Sequence, residues 1–232
     1  MMIDTEKYTL KLDSWHTPAT DYPEKEIGDY RIHHGRYNRG TYEMSGIDDH
    51  IVFEVTKPIP ITSLQQRRGK RWHGWMVDDP PHWRAMEIYA EQSTGAVLTS
   101  GLGLGLIVFG LIKNPKVTKI VVVERSAEVA LLVSRHLPES DKLTIVIGDF
   151  YDYLEVDKTE WDTIMVDLWV SHGAEEKLEL YFHEVIPTAV DLKERYPKAS
   201  LTFHGFITAS DIKFTSQEMA DLIIKMKGGR KR

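Results

Sequence analysis

Three glycines at alternate positions, Gly101, Gly103 and Gly105, follow an apolar lead-in within VLTSGLGLGLI at 97–107. Lacking Cβ atoms, such residues adopt positive φ and let a ligand touch the main chain, while a helix that follows offers its free N–H groups. Downstream, three apolar runs each close on an acid: KIVVVERS on Glu124, LTIVIGDF on Asp149 and WDTIMVDLW on Asp167. Glu124 comes about twenty residues after the turn, where nucleotide-binding βαβ units keep a ribose hydroxyl acceptor. Asp149 follows a glycine, so it reads either as a ligand group or as turn and helix-cap chemistry.

The elements that must position these residues follow from the pattern between them. Continuous Val/Ile-rich runs suit strands buried on both faces of a parallel sheet, and amphipathic segments separate them. The spacing predicts a helix at 80–92, a strand at 96–100, a helix at 104–113, a strand at 118–124 and a helix at 126–136. It continues with strands at 143–148 and 162–167, a long helix at 174–195, a strand at 199–204 and a last helix at 215–227. This is a doubly wound α/β arrangement with about five strands, mostly parallel and Rossmann-like, in the order 3-2-1-4-5, and ligands of such sheets sit outside the carboxyl ends of the strands. Residues 1–77 differ: Tyr, His, Thr and turn residues, short alternating runs such as HIVFEVTK, and a Pro-Ile-Pro break at 58–60 predict a small β-rich extension. The expected organisation is therefore an extension at 1–77, a ligand-binding domain at 78–227 and a basic tail at 228–232.

With 232 residues, 42% hydrophobic and 28% charged, the chain has the composition of a globular protein with a sizeable core. The longest apolar stretch, 97–112, is interrupted by glycines, Thr99 and Ser100, and the first residues lack a basic-then-apolar signal, so no membrane span and a cytoplasmic location are expected. No cysteine is present, which excludes disulfides and thiolate catalysis. The net charge of −6 argues against a general polyanion binder.

Three other features invite functional readings. Between Glu54 and Asp78 no acid occurs, while Arg67, Arg68, Lys70 and Arg71 stand beside Trp72 and Trp75, a composition able to neutralise phosphates and stack bases of a nucleic acid. The alternative is a hairpin whose tryptophans pack and whose charges face water. DDPPHW at 78–83 has the form of an acid-Pro-Pro-aromatic clamp, with His82 at the aromatic place, but Asp79 as N-cap and Pro80 at the first helical position explain it as an ordinary helix start. His172 follows Asp167 by five residues in DLWVSHG, in the loop after the fourth strand, where a side chain could reach a substrate. The histidines show no metal-ligand spacing, and no P-loop or nucleophile elbow is visible.

From 76 to 190 the chain resembles the class I S-adenosylmethionine-dependent methyltransferase fold, and within it the spermidine synthase (aminopropyltransferase) branch. The order of signals carries the resemblance: DDPPHWRAM before the glycine turn, KNPKVTKIVVVERS after it, then GDFYDYL and WDTIMVDLW. It implies that Gly101, Gly103 and Gly105 line the methionine and ribose side, that Glu124 holds the ribose hydroxyls, that Asp149 and Phe150 contact adenine, and that Asp167 sits beside the transferred group. The chain departs from that branch at Leu104, where it carries an acid between the glycines, at Leu168 and Trp169 after the fourth-strand acid, and at His82 and Trp83 in place of a Tyr-His pair. Thr99 stands where methyltransferases usually have an acid ahead of the first glycine. The expected function is transfer of a methyl group from S-adenosylmethionine to a small molecule, with Asp167 and His172 as catalytic candidates and a homodimer as the expected assembly. The alternatives are aminopropyl transfer from decarboxylated S-adenosylmethionine and a non-catalytic nucleotide-binding scaffold.

Overall fold

A computed structural model describes residues 9–45, 50–169 and 179–205. The N-terminal part carries seven strands: β1 (Thr9–Leu12), β2 (Lys25–Ile27), β3 (Tyr30–Tyr37), β4 (Gly40–Ser45), β5 (His50–Val55), β6 (Ile59–Arg68) and β7 (Arg71–Val77). They form a three-stranded sheet, β1-β5-β4, and an antiparallel four-stranded sheet, β2-β3-β6-β7. The expected break at Pro58-Ile59-Pro60 is only partial: β6 starts at Ile59, and Pro60 lies within it opposite Arg36 of β3. Pairing between β6 and β7 begins only at Ser63, so the missing N–H of Pro60 faces a side without a strand partner.

The second part alternates strands and helices: α1 (Pro80–Gln92), β8 (Gly95–Ser100), α2 (Leu106–Lys113), β9 (Val117–Glu124), α3 (Ala127–Val133), β10 (Leu143–Ile147), α4 (Phe150–Val156), β11 (Thr163–Val166), α5 (Ile186–Arg195) and β12 (Ser200–Phe203). The five strands run parallel in the order β10-β9-β8-β11-β12. In β9 the buried run Ile120–Val123 splits by parity. Ile120 and Val122 join a core with Met86 of α1, Val108 of α2 and Leu132 of α3, whereas Val121 and Val123 join one with Leu154 of α4 and Leu192 of α5. A strand whose successive side chains enter two different cores must carry helices on both faces, and that is why its sequence is continuously apolar.

Two elements differ from the spacing. Helix α4 was not anticipated, because FYDYLEV is short and half polar; its burial rests on Phe150 and Leu154, four residues apart on one face. The long helix expected at 174–195 is described from a π turn at Tyr181–Val185 into α5. Pro187 has no N–H to continue the ladder, and the Ile186 N–H reaches back five residues to the Tyr181 carbonyl instead. The expected helix at 215–227 and the tail lie outside the described residues.

The four-stranded sheet shares the first of these cores: Ile32 and Leu64, with Tyr22 just ahead of the sheet, pack with residues of α1, α2 and α3. Asp78, fully buried at the joint, ties the parts together by accepting hydrogen bonds from the Thr17 hydroxyl (2.5 Å) and the Thr62 N–H (2.6 Å). Gly105, the N-cap of α2 with φ of 73°, is equally constrained: a Cβ there would stand 2.5 Å from Leu137 Cδ2. Gly105→Ala is expected to lower stability by about 1–3 kcal/mol through left-handed strain and overpacking. Urea denaturation checks this, and an unchanged midpoint would refute it.

Candidate functional site

The C-terminal edge of the parallel sheet carries the glycine turn. Gly101, Gly103 and Gly105 all have positive φ, between 52° and 76°. Gly101 continues β8 by donating its N–H to the Val123 carbonyl (2.8 Å), and a Cβ on it would stand 3.1 Å from the Asp167 carbonyl oxygen. The turn is therefore pressed between the ends of β9 and β11. Leu104 is fully buried, its carbonyl accepting from the Tyr22 hydroxyl (3.1 Å). The place where the aminopropyltransferase branch has an acid is thus a core position here. Thr99 is buried as well, and among the described residues its Oγ1 has no hydrogen-bond partner.

Glu124, at the end of β9, is 8% exposed. One of its oxygens accepts the Leu102 N–H of the glycine turn (2.7 Å), and the other accepts the Ser126 N–H at the start of α3 (2.7 Å). A carboxylate has about four lone-pair sites, so each oxygen can accept one further donor, such as the two hydroxyls of a ribose. Glu124 fits that role while locking the turn to the next helix.

These groups open on one cavity of about 580 Å³, lined among others by Gly101, Gly103, Glu124, Asp149, Phe150 and Asp167. Asp149 caps α4, Oδ1 accepting the Tyr151 and Asp152 N–H groups (2.9 and 3.4 Å), which leaves Oδ2 for a donor in the cavity. Phe150 is buried in the second core and also lines the cavity. Asp167 follows β11, its N–H donating to Ser100 Oγ (2.8 Å). Gly105 does not line the cavity; it packs against Leu137 and Val133 beneath the turn. His172 lies outside the described residues.

Sequence reasoning missed the opposite wall, which comes from the four-stranded sheet: Tyr30, Leu64, Gln66, Trp75 and Met76. Met76 Sδ accepts the Leu104 N–H (3.3 Å), so β7 lies directly against the glycine turn. Tyr30 accepts from Gln66 Nε2 (3.0 Å), and burial, then the charge of Glu124, push its hydroxyl above the usual tyrosine range, so it stays a donor facing the cavity. No clear signal was available, because LQQRR and WHGWMV lack a clean apolar alternation that would show which face meets another element.

A second polar group gathers at the start of α1. Asp79, fully buried, caps α1 by accepting the His82 N–H (3.1 Å), as the helix-start reading expects. It also accepts from the Tyr37 hydroxyl (3.0 Å) and contacts His82 Nδ1 (3.3 Å). Burial alone would lower the His82 pKa, but the hydrogen bond and charge of Asp79, with the charge of Asp167, outweigh it and hold it above the usual histidine value.

The basic hairpin forms as β6 and β7 joined at Gly69. The guanidiniums of Arg31 and Arg67 lie 4.5 and 4.6 Å from the Trp72 ring centroid, and Arg67 is paired with Glu26. A stacking base would have to displace a guanidinium from Trp72. Among the described residues no His/Asp/Glu group is arranged to hold a metal ion, and no helix is long and apolar enough to cross a membrane.

No protein-family model matches the chain. It is similar to the polyamine aminopropyltransferase of Clostridium tetani (strain Massachusetts / E88), 31% identical over 98 residues, which cover 39% of this chain and 35% of that protein. The chain thus spans about a third of the length of that curated relative. Similar solved structures include spermidine synthase from Thermotoga maritima, with 17% identity, 46% of this chain and 44% of that chain covered, and a TM-score of 0.36. Another is human methyltransferase-like protein 13 in complex with SAH, with 19% identity, 52% and 62% covered, and a TM-score of 0.38. The resemblance to the spermidine synthase branch carried by the motifs is therefore shared with a curated aminopropyltransferase.

Proposed function

We propose that the chain binds S-adenosylmethionine and transfers its methyl group to a small-molecule acceptor. The observation that supports this reading most is the convergence of Gly101, Gly103, Glu124, Asp149, Phe150 and Asp167 on one cavity. The bound sulfonium would supply an electrophilic carbon, whose transfer needs in-line approach in a desolvated pocket more than acid assistance. Glu124 would hold the ribose hydroxyls, Asp149 and Phe150 the adenine, and Asp167 would orient or deprotonate the acceptor, with His172 as a further candidate. In this reading residues 78–227 form the donor-binding unit, and the extension at 1–77 supplies the facing wall.

Aminopropyl transfer from decarboxylated S-adenosylmethionine is the second reading, favoured by the charges around the cavity. Glu124, Glu128, Asp149, Asp167 and Glu184 line it, against Arg125 among the cations. Such a wall attracts a cationic amine and disfavours a carboxylate. Calorimetric titration with S-adenosylmethionine, its decarboxylated form and NAD separates the readings. Tighter binding of the first is expected, and preference for the decarboxylated form would move the assignment to aminopropyl transfer. Binding of NAD alone would overturn both, and binding of none would leave a non-catalytic scaffold.

A further inference from the structure

The donor roles proposed above leave three apolar residues of the cavity wall unassigned: Trp75, Leu168 and Trp169. Trp75 owes its place there to an irregularity of its strand. The β6–β7 ladder pairs Leu64 with Met76 but Gln65 with Gly74, so Trp75 is the extra residue of a β-bulge. Successive side chains of a regular strand point to opposite faces, and a bulge re-aims one of them. Trp75 and Met76 accordingly line the same cavity. Because Met76 Sδ accepts the Leu104 N–H, the bulge is held against the glycine turn. The Trp75 residue is 39% exposed, and the Arg68 guanidinium that approaches its ring, 5.9 Å from the centroid, is itself held by Gln66 Oε1 (3.2 Å). A large indole is thus kept on the wall of the cavity with much of its surface open.

Leu168 and Trp169 follow Asp167 directly. Both pack on the second core, where Trp169 stacks with Phe203 of β12, the ring centroids 6.2 Å apart and the planes at 26°. The wall beyond the Asp167 carboxylate is therefore hydrocarbon fixed by the sheet. A second ammonium placed there would lose its water without gaining a partner, whereas an apolar body would not. Indole faces suit both halves of such a molecule, the body by apolar contact and the cation by attraction to the ring. The carboxylates on the same wall disfavour an acceptor that brings its own.

We propose that the cavity contains an acceptor subsite for an amine with one cationic nitrogen on an apolar or aromatic body, the nitrogen facing Asp167 and the body lying against Trp75 and Trp169. This rests on the transferase reading above and names its substrate class.

Calorimetric titration of the full chain, with and without S-adenosylmethionine, tests it with three probes: phenethylamine, the diamine putrescine, and hydrocinnamate, which carries a carboxylate in place of the ammonium. Phenethylamine is expected to bind at least about tenfold more tightly than either of the others. Trp75→Ala, at a partly exposed position, should fold and bind S-adenosylmethionine like the wild type but lose about tenfold in phenethylamine affinity, and Trp75→Phe should restore most of it. Putrescine or hydrocinnamate binding as tightly as phenethylamine would overturn the proposal. So would phenethylamine affinity unmoved by Trp75→Ala, or a loss in that variant confined to the sulfonium donor. If the wild type binds phenethylamine in this Trp75-dependent way but neither S-adenosylmethionine nor its decarboxylated form, the amine subsite stands and the transferase reading falls. Donor binding without any preference among the three probes sinks the subsite alone.

Discussion

Glu124→Ala is expected to abolish measurable donor binding and to destabilise the fold at once. The carboxylate holds two backbone donors, Leu102 N–H and Ser126 N–H, in a site that is 8% exposed. Removing it strands both, at about 1–3 kcal/mol for each buried unsatisfied group. In the donor complex it would also remove two charge-assisted bonds to ribose hydroxyls, each about 1.5–3 kcal/mol, which corresponds to roughly a 100-fold or greater loss of affinity. Glu124→Gln is the informative companion. Its oxygen can accept one N–H, but its NH2 must face the other, so the turn should shift and binding fall in a protein that still folds. Thermal denaturation and calorimetry with S-adenosylmethionine check both variants, and donor affinity within about threefold of the wild type in Glu124→Ala would remove Glu124 from the site.

Asp167→Asn is expected to separate binding from chemistry. The backbone of Asp167 is anchored independently of its carboxyl group, by its N–H to Ser100 Oγ and by the close approach of its carbonyl to Gly101. Asparagine keeps the volume and those anchors, so the cavity and donor affinity should be preserved. Without a carboxylate to take the acceptor proton, transfer should slow by about 10²–10⁴-fold. Single-turnover rates with saturating donor measure the loss, and undiminished transfer would show that Asp167 does no more than close the end of β11.

Much of the sheet was legible because its signals are local. A strand buried on both faces must be apolar at every position, and VTKIVVVE announces this without knowledge of its neighbours. The acids at the strand ends were legible for a related reason: a parallel sheet brings the residues that end its strands to one edge, and Glu124, Asp149 and Asp167 all line the cavity there. Gly105 faces a core leucine and not the cavity, a distinction the sequence does not carry, because positive φ looks alike whether a glycine yields space to a ligand or to a core side chain. Helix α4 was missed because a seven-residue helix anchored by Phe150 and Leu154 leaves too few apolar positions to define a period.

The wall opposite the glycine turn could not be read from the chain at all. Tyr30, Gln66 and Met76 join the site through pairing of β3 with β6 and β6 with β7, and through contact of β7 with the turn. Tyr37 and Asp79 meet across 42 positions of sequence. The sequence by itself determined which segments are strands, which carboxylates end them and where the main chain admits a close approach, since these depend on side-chain period and the absence of a Cβ. Only the tertiary structure decided that a second sheet closes the cavity and that the cap of α1 also receives a tyrosine from β3, because hydrogen bonds and burial between distant segments leave no periodic trace along the chain.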